Sequence, residues 1–575
     1  MSLKDTKTKF PSIEKPWLKY YEKNSDRIKL PECSMYEYLY ICNQNRQENI
    51  ALDYFGNLIS YKELFNNIDR FASSYIQLGV RKNDIVLCLF LSIPECIYSI
   101  YALNKIGAIC DMESPLISTK DLYNKIKLLN INYIVTVDTF INLVQNSLQD
   151  DTEINKIVVL PASNSLPLVK RTIYQVANKP KVFHNSIIIN YRSFIDGRIE
   201  KTTIVKADDD KAIILKSGGT TGVPKDVLMS NENMNAVALQ YHLRKDLQLE
   251  VGEKILNIAP IFLAFGISLA IHAPLTLGMI VCLSPDPDPK VFSSMFLEYK
   301  PVHLLNGIPH IANFLDNNKI SKMNLSFIKT IGCGGESISS SLEEKVEKYF
   351  SARGMNEIHV STGYGMTEFC GTAVVSSNQI YKVGSVGVPF PMTNIRIVDP
   401  STGMDCGFDE EGEIWLTSPS MMISYMNNEK EMQKAVVIDH GIRWMKTGDI
   451  GTVDNDGFVY IKGRIKRIYL TTGPDGSIYK LFPDYIDDVI QMIDGISSSG
   501  TIAVSSDGKF YKAVSYVVLS KYIDINTILK YCQNSLPEYE IPEKIIAIDQ
   551  LPITQSGKTN YLELENQYKL YKGNH

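Results

Sequence analysis

From Asn49 to about Glu410 the chain alternates short apolar runs with amphipathic, helix-length segments. The runs include DIVLCLFL, NINYIVTV, KAIILKS, KILNIAP, MIVCLSP, HLLNGIP, FIKTIGCG and EIHVSTGYG. Apolar strands separated by helical segments form parallel sheets covered by helices, so the rhythm predicts an α/β class. Several of these runs end in Gly-rich or polar loops, and ligands in such sheets sit beyond the carboxyl ends of the strands. At 575 residues the chain exceeds one ordinary core, which predicts at least two domains. After KGRIKRIYL the pattern changes to shorter strands and helices, TIAVSS, KAVSYVVL and INTILKYCQNSLP. A large domain over 1–462 and a smaller α+β domain over 463–575 are expected. The polar stretch 161–181 reads as a connector or surface excursion.

Composition narrows the function classes. A net charge of −5 leaves no domain-wide basic surplus for a nucleic-acid backbone. The most hydrophobic window, IVLCLFLSIPECIYSIYALNKIGAI, is broken by Pro94, Glu95 and Lys105, so it reads as a buried strand followed by a helix and not as a membrane span. The N-terminal residues carry no signal-peptide core. Ten scattered cysteines without a C-x-x-C pair read as reduced core thiols, and a cytoplasmic location is expected.

SGGTTGVPKD, Ser217 to Asp226, follows the apolar run KAIIL. Gly218, Gly219 and Gly222 let backbone N–H groups converge on an anion, Ser217, Thr220 and Thr221 add hydroxyl donors, and Lys225 adds a compact cation. That chemistry suits phosphate, although the spacing is not that of a Walker loop. STGYGMTEF supplies an aromatic to pack on a base, Tyr364, and a carboxylate to hold a metal, Glu368. WMKTGDIG sets Asp449 in what reads as a Gly-flanked turn, suited to accept from ribose hydroxyls, with Arg464 of GRIKRI as a donor to the same sugar. LPITQSGKTNYLEL presents Lys558 on a loop.

In this order and at these separations the motifs resemble the adenylate-forming superfamily of acyl- and aryl-CoA synthetases, luciferases and peptide-synthetase adenylation domains. ALDYFGNLISYKEL, NIAPIFLAFGIS, IGCGGESIS, VGSVGVPFP and EGEIWLTSPSMMISYMNN extend the resemblance over nearly the whole chain, and EKPWLKYY looks most like bacterial acyl-CoA ligases. The resemblance implies an α/β adenylation core with a mobile α+β lid. It implies ATP, Mg²⁺ and a carboxylic acid that becomes an acyl-AMP, with transfer to CoA or to a carrier-protein phosphopantetheine arm. Thr220, Thr221 and Lys225 would hold the β- and γ-phosphates, with Ser217, Gly218, Gly219 and Gly222 in the same loop. Tyr364, Gly335 and Glu336 would line the adenine cleft. Thr367 would touch the α-phosphate, Glu368 would hold Mg²⁺, and Asp449 and Arg464 would fix the ribose. Lys558 would bridge the acid and the α-phosphate, and the lid would turn about Lys466.

Three departures from the family pattern carry expectations. Asp226 replaces a glycine beside the loop lysine, which lowers nucleotide affinity unless it turns outward or pairs with Lys225. Phe262, Leu263, Ala264 and Phe265, with Gly334 and Gly363, suggest an apolar acid pocket; no aspartate stands at Ala264 to meet an α-ammonium, so the acid is not an amino acid. Gly363 is expected to leave room for an aryl or aliphatic chain. The segment 471–487 is longer by about two residues than in the family and carries Tyr485-Ile486-Asp487 at its helix start, which leaves the thiol acceptor open. Luciferase-type oxygenation, or a silent nucleotide- or acyl-binding relative, stays open on motif alone. His242 and Asp246 mimic an acyltransferase pair but read as an exposed helical i,i+4 pair. Cys333 lacks a readable base.

Overall fold

A computed structural model describes residues 10–177, 186–197, 202–217, 224–256, 258–286, 288–334, 338, 340–355, 358–505, 508–554 and 558–573. Two large sheets dominate the first part of the chain. One has the order Ser424–Tyr425, Asp226–Ser230, Lys211–Lys216, Ile109–Met112, Ile85–Leu89, Tyr133–Val137, Lys156–Leu160 and Ile188–Asn190. It is parallel from Lys211–Lys216 onward, with Asp226–Ser230 folding back antiparallel. The other runs from Val388–Pro389 through Val374–Val375, Ser361–Tyr364, Thr330–Cys333, His303–Asn306, Lys254–Leu256 and Ile280–Cys282 to the hairpin Ile50–Tyr54 and Asn57–Ser60. The expected strands and the α/β class are present.

The helices cover these sheets because their apolar stripes repeat at helical spacing. Tyr61–Gln77 buries Leu64, Phe65, Ile68, Phe71, Ala72 and Tyr75, and a capping box between Ser60 and Glu63 satisfies its first turn. Pro94–Lys105 is buried along its whole length, which explains why the most hydrophobic window of the chain needs no membrane. No helix among the described residues is long and apolar enough to cross a bilayer. None of the ten cysteines is in a disulfide, and eight are buried, so the reading of them as core thiols agrees with the structure.

A third, antiparallel sheet joins Asn394–Val398, Gly412–Thr417, Ile442–Val453, Val436–Asp439 and Val459–Arg464. Beyond it the chain forms a C-terminal α+β domain. The hairpin Tyr469–Thr472 and Ile478–Leu481 precedes helix Pro483–Gln491, and Ile496–Val504, Lys512–Leu519 and Lys544–Ile548 make a three-stranded sheet. Two apolar clusters there draw only on residues from 469 onward, one around Ile486, Val517 and Ile528 and one around Tyr516 and Leu564.

Three local expectations are corrected. Within the run EIHVSTGYG the strand is Ser361–Tyr364 and not the more apolar start of the run, because Ser361–Tyr364 pairs with Gly332–Cys333 on one side and Val374–Val375 on the other. Asp449 lies within the twelve-residue strand Ile442–Val453 and not in a turn; Gly448 takes φ +73° and a bulge follows at Ile450–Gly451. The supposed connector at 161–181 contains the helix Leu168–Ala177.

Candidate active site

The carboxyl ends of the strands gather most of the predicted residues. Ser217 follows the strand Lys211–Lys216, and Lys225 precedes the strand that folds back beside it. The two ends are clasped: the Ser217 N–H donates to the Lys225 carbonyl and the Lys225 N–H to the Ser217 hydroxyl, each at 2.9 Å. Gly218, Gly219, Thr220, Thr221, Gly222, Gly335 and Glu336 lie outside the described residues, as do Ser556 and Gly557.

Asp449 stands directly opposite Arg464 across the antiparallel ladder, and Arg464 Nε lies 3.1 Å from Asp449 Oδ1. The Tyr364 hydroxyl donates to the other carboxylate oxygen at 2.6 Å. Burial pushes the Asp449 carboxyl above its ordinary range; Arg464, Tyr364 and Lys558 draw it back down in part. The charge of Lys558 is among those that act on the Asp449 carboxyl. Lys558 itself is held by a small clasp, its N–H donating to Thr554 Oγ1 and its carbonyl accepting from the Thr554 N–H. Lys466 lies in the 3₁₀ turn Ile465–Arg467, between Arg464 and the C-terminal hairpin.

Thr367 and Glu368 form the turn just after Tyr364. The Thr367 hydroxyl donates to the Lys216 carbonyl at 3.2 Å, which ties this turn to the start of the Gly-rich loop. Glu368 is buried and accepts from the Tyr425 hydroxyl at 2.7 Å. Mg²⁺ fits this donor set: a hard cation takes carboxylate oxygen, and the described residues offer no cage of three or more His, Cys, Asp or Glu. Its remaining ligands would come from phosphates and water, with Glu368 as the protein's share.

Two partners here escaped sequence reasoning. Lys225 Nζ lies 2.7 Å from Glu431 Oε2 and 4.5 Å from the centre of the Tyr425 ring. The hydrogen bond from Lys225 is the main cause that holds the Glu431 carboxyl down to about 2. Tyr425 thus faces both Lys225 and Glu368. It sits inside SPSMMISYMNN, where nothing in the local pattern sets it apart from a core tyrosine.

Asp226 departs from expectation. It neither turns outward nor pairs with Lys225. Its carboxylate faces inward, 3.0 Å from Lys125 Nζ and 2.9 Å from Lys216 Nζ. Lys125 in turn contacts Asp111 at 2.7 Å and Glu113 at 2.8 Å. The Asp226 charge is absorbed by this buried network.

The presumed acid pocket is partly revised. Phe262 and Ala264 are buried, Leu263 packs against the main core, and the Phe265 ring would meet a Cβ on Gly334 at 3.4 Å. Gly363 does not open space: a Cβ there would meet the Val374 carbonyl at 3.3 Å, because the neighbouring strand Val374–Val375 fills that side. His242 is not on an exposed helix face; burial lowers it to about 4, and its Nε2 lies 3.2 Å from the Thr276 hydroxyl. Asp246 is engaged instead by the buried Arg244. Cys333 is buried at the end of its strand.

A family model described as AMP-binding enzyme matches residues 41–426. The chain belongs to this family of adenylate-forming ligases. A long-chain-fatty-acid–CoA ligase of Bacillus subtilis (strain 168) is 26% identical, with 95% of this chain and 96% of that protein covered. A 4-coumarate–CoA ligase-like protein of Arabidopsis thaliana, number 8 of its series, is 26% identical over 87% of this chain and 86% of its own. The crystal structure of the anthranilate CoA ligase AuaEII in complex with anthranoyl-AMP superposes with a TM-score of 0.80 at 19% identity, covering 96% of this chain and 100% of that one. The AMP-binding ligase thus has the large N-terminal domain and the C-terminal domain of adenylate-forming enzymes.

Proposed function

We propose that this ligase activates a carboxylic acid lacking an α-amine, aromatic or medium- to long-chain aliphatic, as its acyl-AMP and transfers the acyl group to CoA. The observation that carries this reading is the grouping of Asp449 with Arg464 and Tyr364, with Lys225 and Glu368 joined to each other through Tyr425. The acid's carboxylate attacks the α-phosphorus of ATP and pyrophosphate leaves. Charge grows on phosphorus-bound oxygens, where fixed donors and cations lower the barrier.

In this reading Asp449 accepts from the ribose hydroxyls and Arg464 and Tyr364 hold that carboxylate ionised and oriented. Thr367 donates toward the α-phosphate, Lys225 meets the outer phosphates together with residues 218–222, and Lys558 spans acid and α-phosphate. Mg²⁺ supplies charge neutralisation of the phosphates, with Glu368 as its protein ligand. Phe262, Leu263, Ala264, Phe265 and Gly334 line the acid side; they offer no carboxylate to an ammonium, and burying one unpaired is costly. A boundary near 463, with rotation about Lys466, lets Lys558 leave before the thiol enters.

A second reading, delivery to a carrier-protein phosphopantetheine arm, draws on the hairpin Tyr469–Thr472 and Ile478–Leu481 and the altered start of helix Pro483–Gln491. Mass spectrometry of enzyme with ATP, Mg²⁺, CoA and a pool of benzoates, cinnamates and fatty acids separates the two. An acyl-CoA mass supports the first reading. An acyl-AMP without thioester supports the second, and neither product contradicts both.

A further inference from the structure

Glu368 differs from the other buried carboxylates of this region in what faces it. Asp449 meets Arg464, and Asp226 meets Lys125 and Lys216. Glu368 is 5% exposed, and among the described residues no lysine, arginine or histidine lies within ion-pair distance of it. The donor it has is neutral, the Tyr425 hydroxyl at 2.7 Å. Burying a carboxylate without a cation is costly. The arrangement therefore suits a carboxylate whose counter-charge comes from outside the chain, and a hard divalent cation is the kind that takes such an oxygen.

Tyr425 is placed by its backbone. Ser424–Tyr425 adds to the edge of the first sheet, antiparallel to Asp226–Ser230, with Ser424 opposite Leu228 and Tyr425 opposite Val227. The Met426 N–H donates to the Asp226 carbonyl and the Met422 N–H to the Glu368 carbonyl, each at 2.8 Å. This short segment is thus bonded both to the strand that begins beside Lys225 and to the main chain of Glu368 itself. The Tyr425 ring lies 4.5 Å from Lys225 Nζ, so its face meets one charge and its hydroxyl the other. A phenylalanine would fill the same space and keep the ring against Lys225. Only the hydroxyl reaches the carboxylate, and a buried tyrosine hydroxyl takes a partner.

We infer that Tyr425 is a positioning residue of the adenylation site, whose hydroxyl holds the Glu368 carboxylate in the orientation that meets the metal of the ATP complex. The inference rests on the proposed role of Glu368 as the Mg²⁺ ligand and is independent of which acid is activated. A donor that orients a ligating carboxylate sets metal affinity by about 10–100-fold.

The test is calorimetric titration of ATP into the full-length protein, in Mg²⁺ and in EDTA, with no acid present, so that the readout needs no turnover. Tyr425→Phe should weaken binding about tenfold in Mg²⁺ and leave binding in EDTA unchanged. In a Glu368→Gln background the same substitution should have no further effect, because the carboxylate it orients is gone. A role in packing alone would move both conditions and both backgrounds alike. Wild-type binding indifferent to Mg²⁺, unchanged binding of Tyr425→Phe in Mg²⁺, or an equal loss in EDTA or in the Glu368→Gln background would overturn the inference. Mg²⁺-dependent binding that Glu368→Gln leaves intact would overturn the metal role of Glu368 together with it. The full expected pattern in a protein that activates no acid would uphold the inference and contradict the acid reading alone.

Discussion

Asp226 Oδ1 lies 3.0 Å from Lys125 Nζ, linking the residue after the phosphate-loop lysine to a helix far away in sequence. Three carboxylates, Asp111, Glu113 and Asp226, share two ammonium groups, Lys125 and Lys216. Asp226→Asn removes the carboxylate in excess and leaves Lys125 with Asp111 and Glu113 and Lys216 with Glu113. It should therefore cost no more than about 1–2 kcal/mol, the scale of the charge-assisted hydrogen bonds lost, and Asp226→Gly should cost more because it also empties the position. Urea unfolding midpoints for the two variants check this.

The same network sets a pH dependence. With one carboxylate in excess, burial pushes Asp111 up to about 7, against the pull of Lys125, and its Oδ2 is buried without a partner. The folded state thus keeps a proton that the unfolded chain gives up in the ordinary carboxylate range. Stability gained this way is full in acid and is lost as pH rises through about 7. Asp226 has the opposite sign: burial opposes its charge, but Lys125 and Lys216 outweigh burial and hold it below the ordinary range, so its contribution is lost only in acid. Asp111→Asn should flatten the loss of stability between about pH 4 and 7, read from unfolding midpoints across that window.

If Lys225 meets phosphate, as proposed, Glu431 competes for it. Both side chains are partly exposed, so the pair contributes little to stability. Glu431→Gln should leave the fold intact and lower the KM for ATP by about two- to fivefold at low salt, the scale of such a pair. An unchanged or raised KM would remove Lys225 from the phosphate site.

Tyr364→Phe deletes a donor to a nearly buried carboxylate. Asp449 is already raised by burial, and losing this bond raises it further. Since Asp449 must be ionised to accept from ribose, the acid limb of kcat/KM for ATP should move to higher pH, with a loss of about 1.5–3 kcal/mol in transition-state binding.

Much of this was legible in the sequence, and the rest was hidden for identifiable reasons. Apolar runs flanked by glycine announced Lys211–Lys216 and Thr330–Cys333, because a buried parallel strand has few other solutions. Asp449 was singled out, but its setting was misread, since a Gly-flanked bulge inside a strand looks locally like a turn. Glu431 and Lys125 lie in unremarkable helices; only the fold brings them to Lys225 and Asp226. Gly363 suggested open space, and the strand Val374–Val375 that fills it comes from pairing that sequence alone does not fix.

Lys466→Pro should separate the half-reactions. Lys466 lies in the short turn after Arg464, where a rigid residue hinders rotation of the C-terminal domain. Acyl-AMP formation should persist and thioester formation should fall at least about tenfold. Equal loss of both would place the hinge elsewhere.

The central claim is acid-dependent adenylation assisted by Lys558, and exchange of radiolabelled pyrophosphate into ATP tests it most directly. Wild type should catalyse exchange only when a suitable acid from the pool is present, and Lys558→Ala should lower that rate by at least about a hundredfold. Exchange at the wild-type rate in Lys558→Ala, or none with any acid for the wild type, would contradict it.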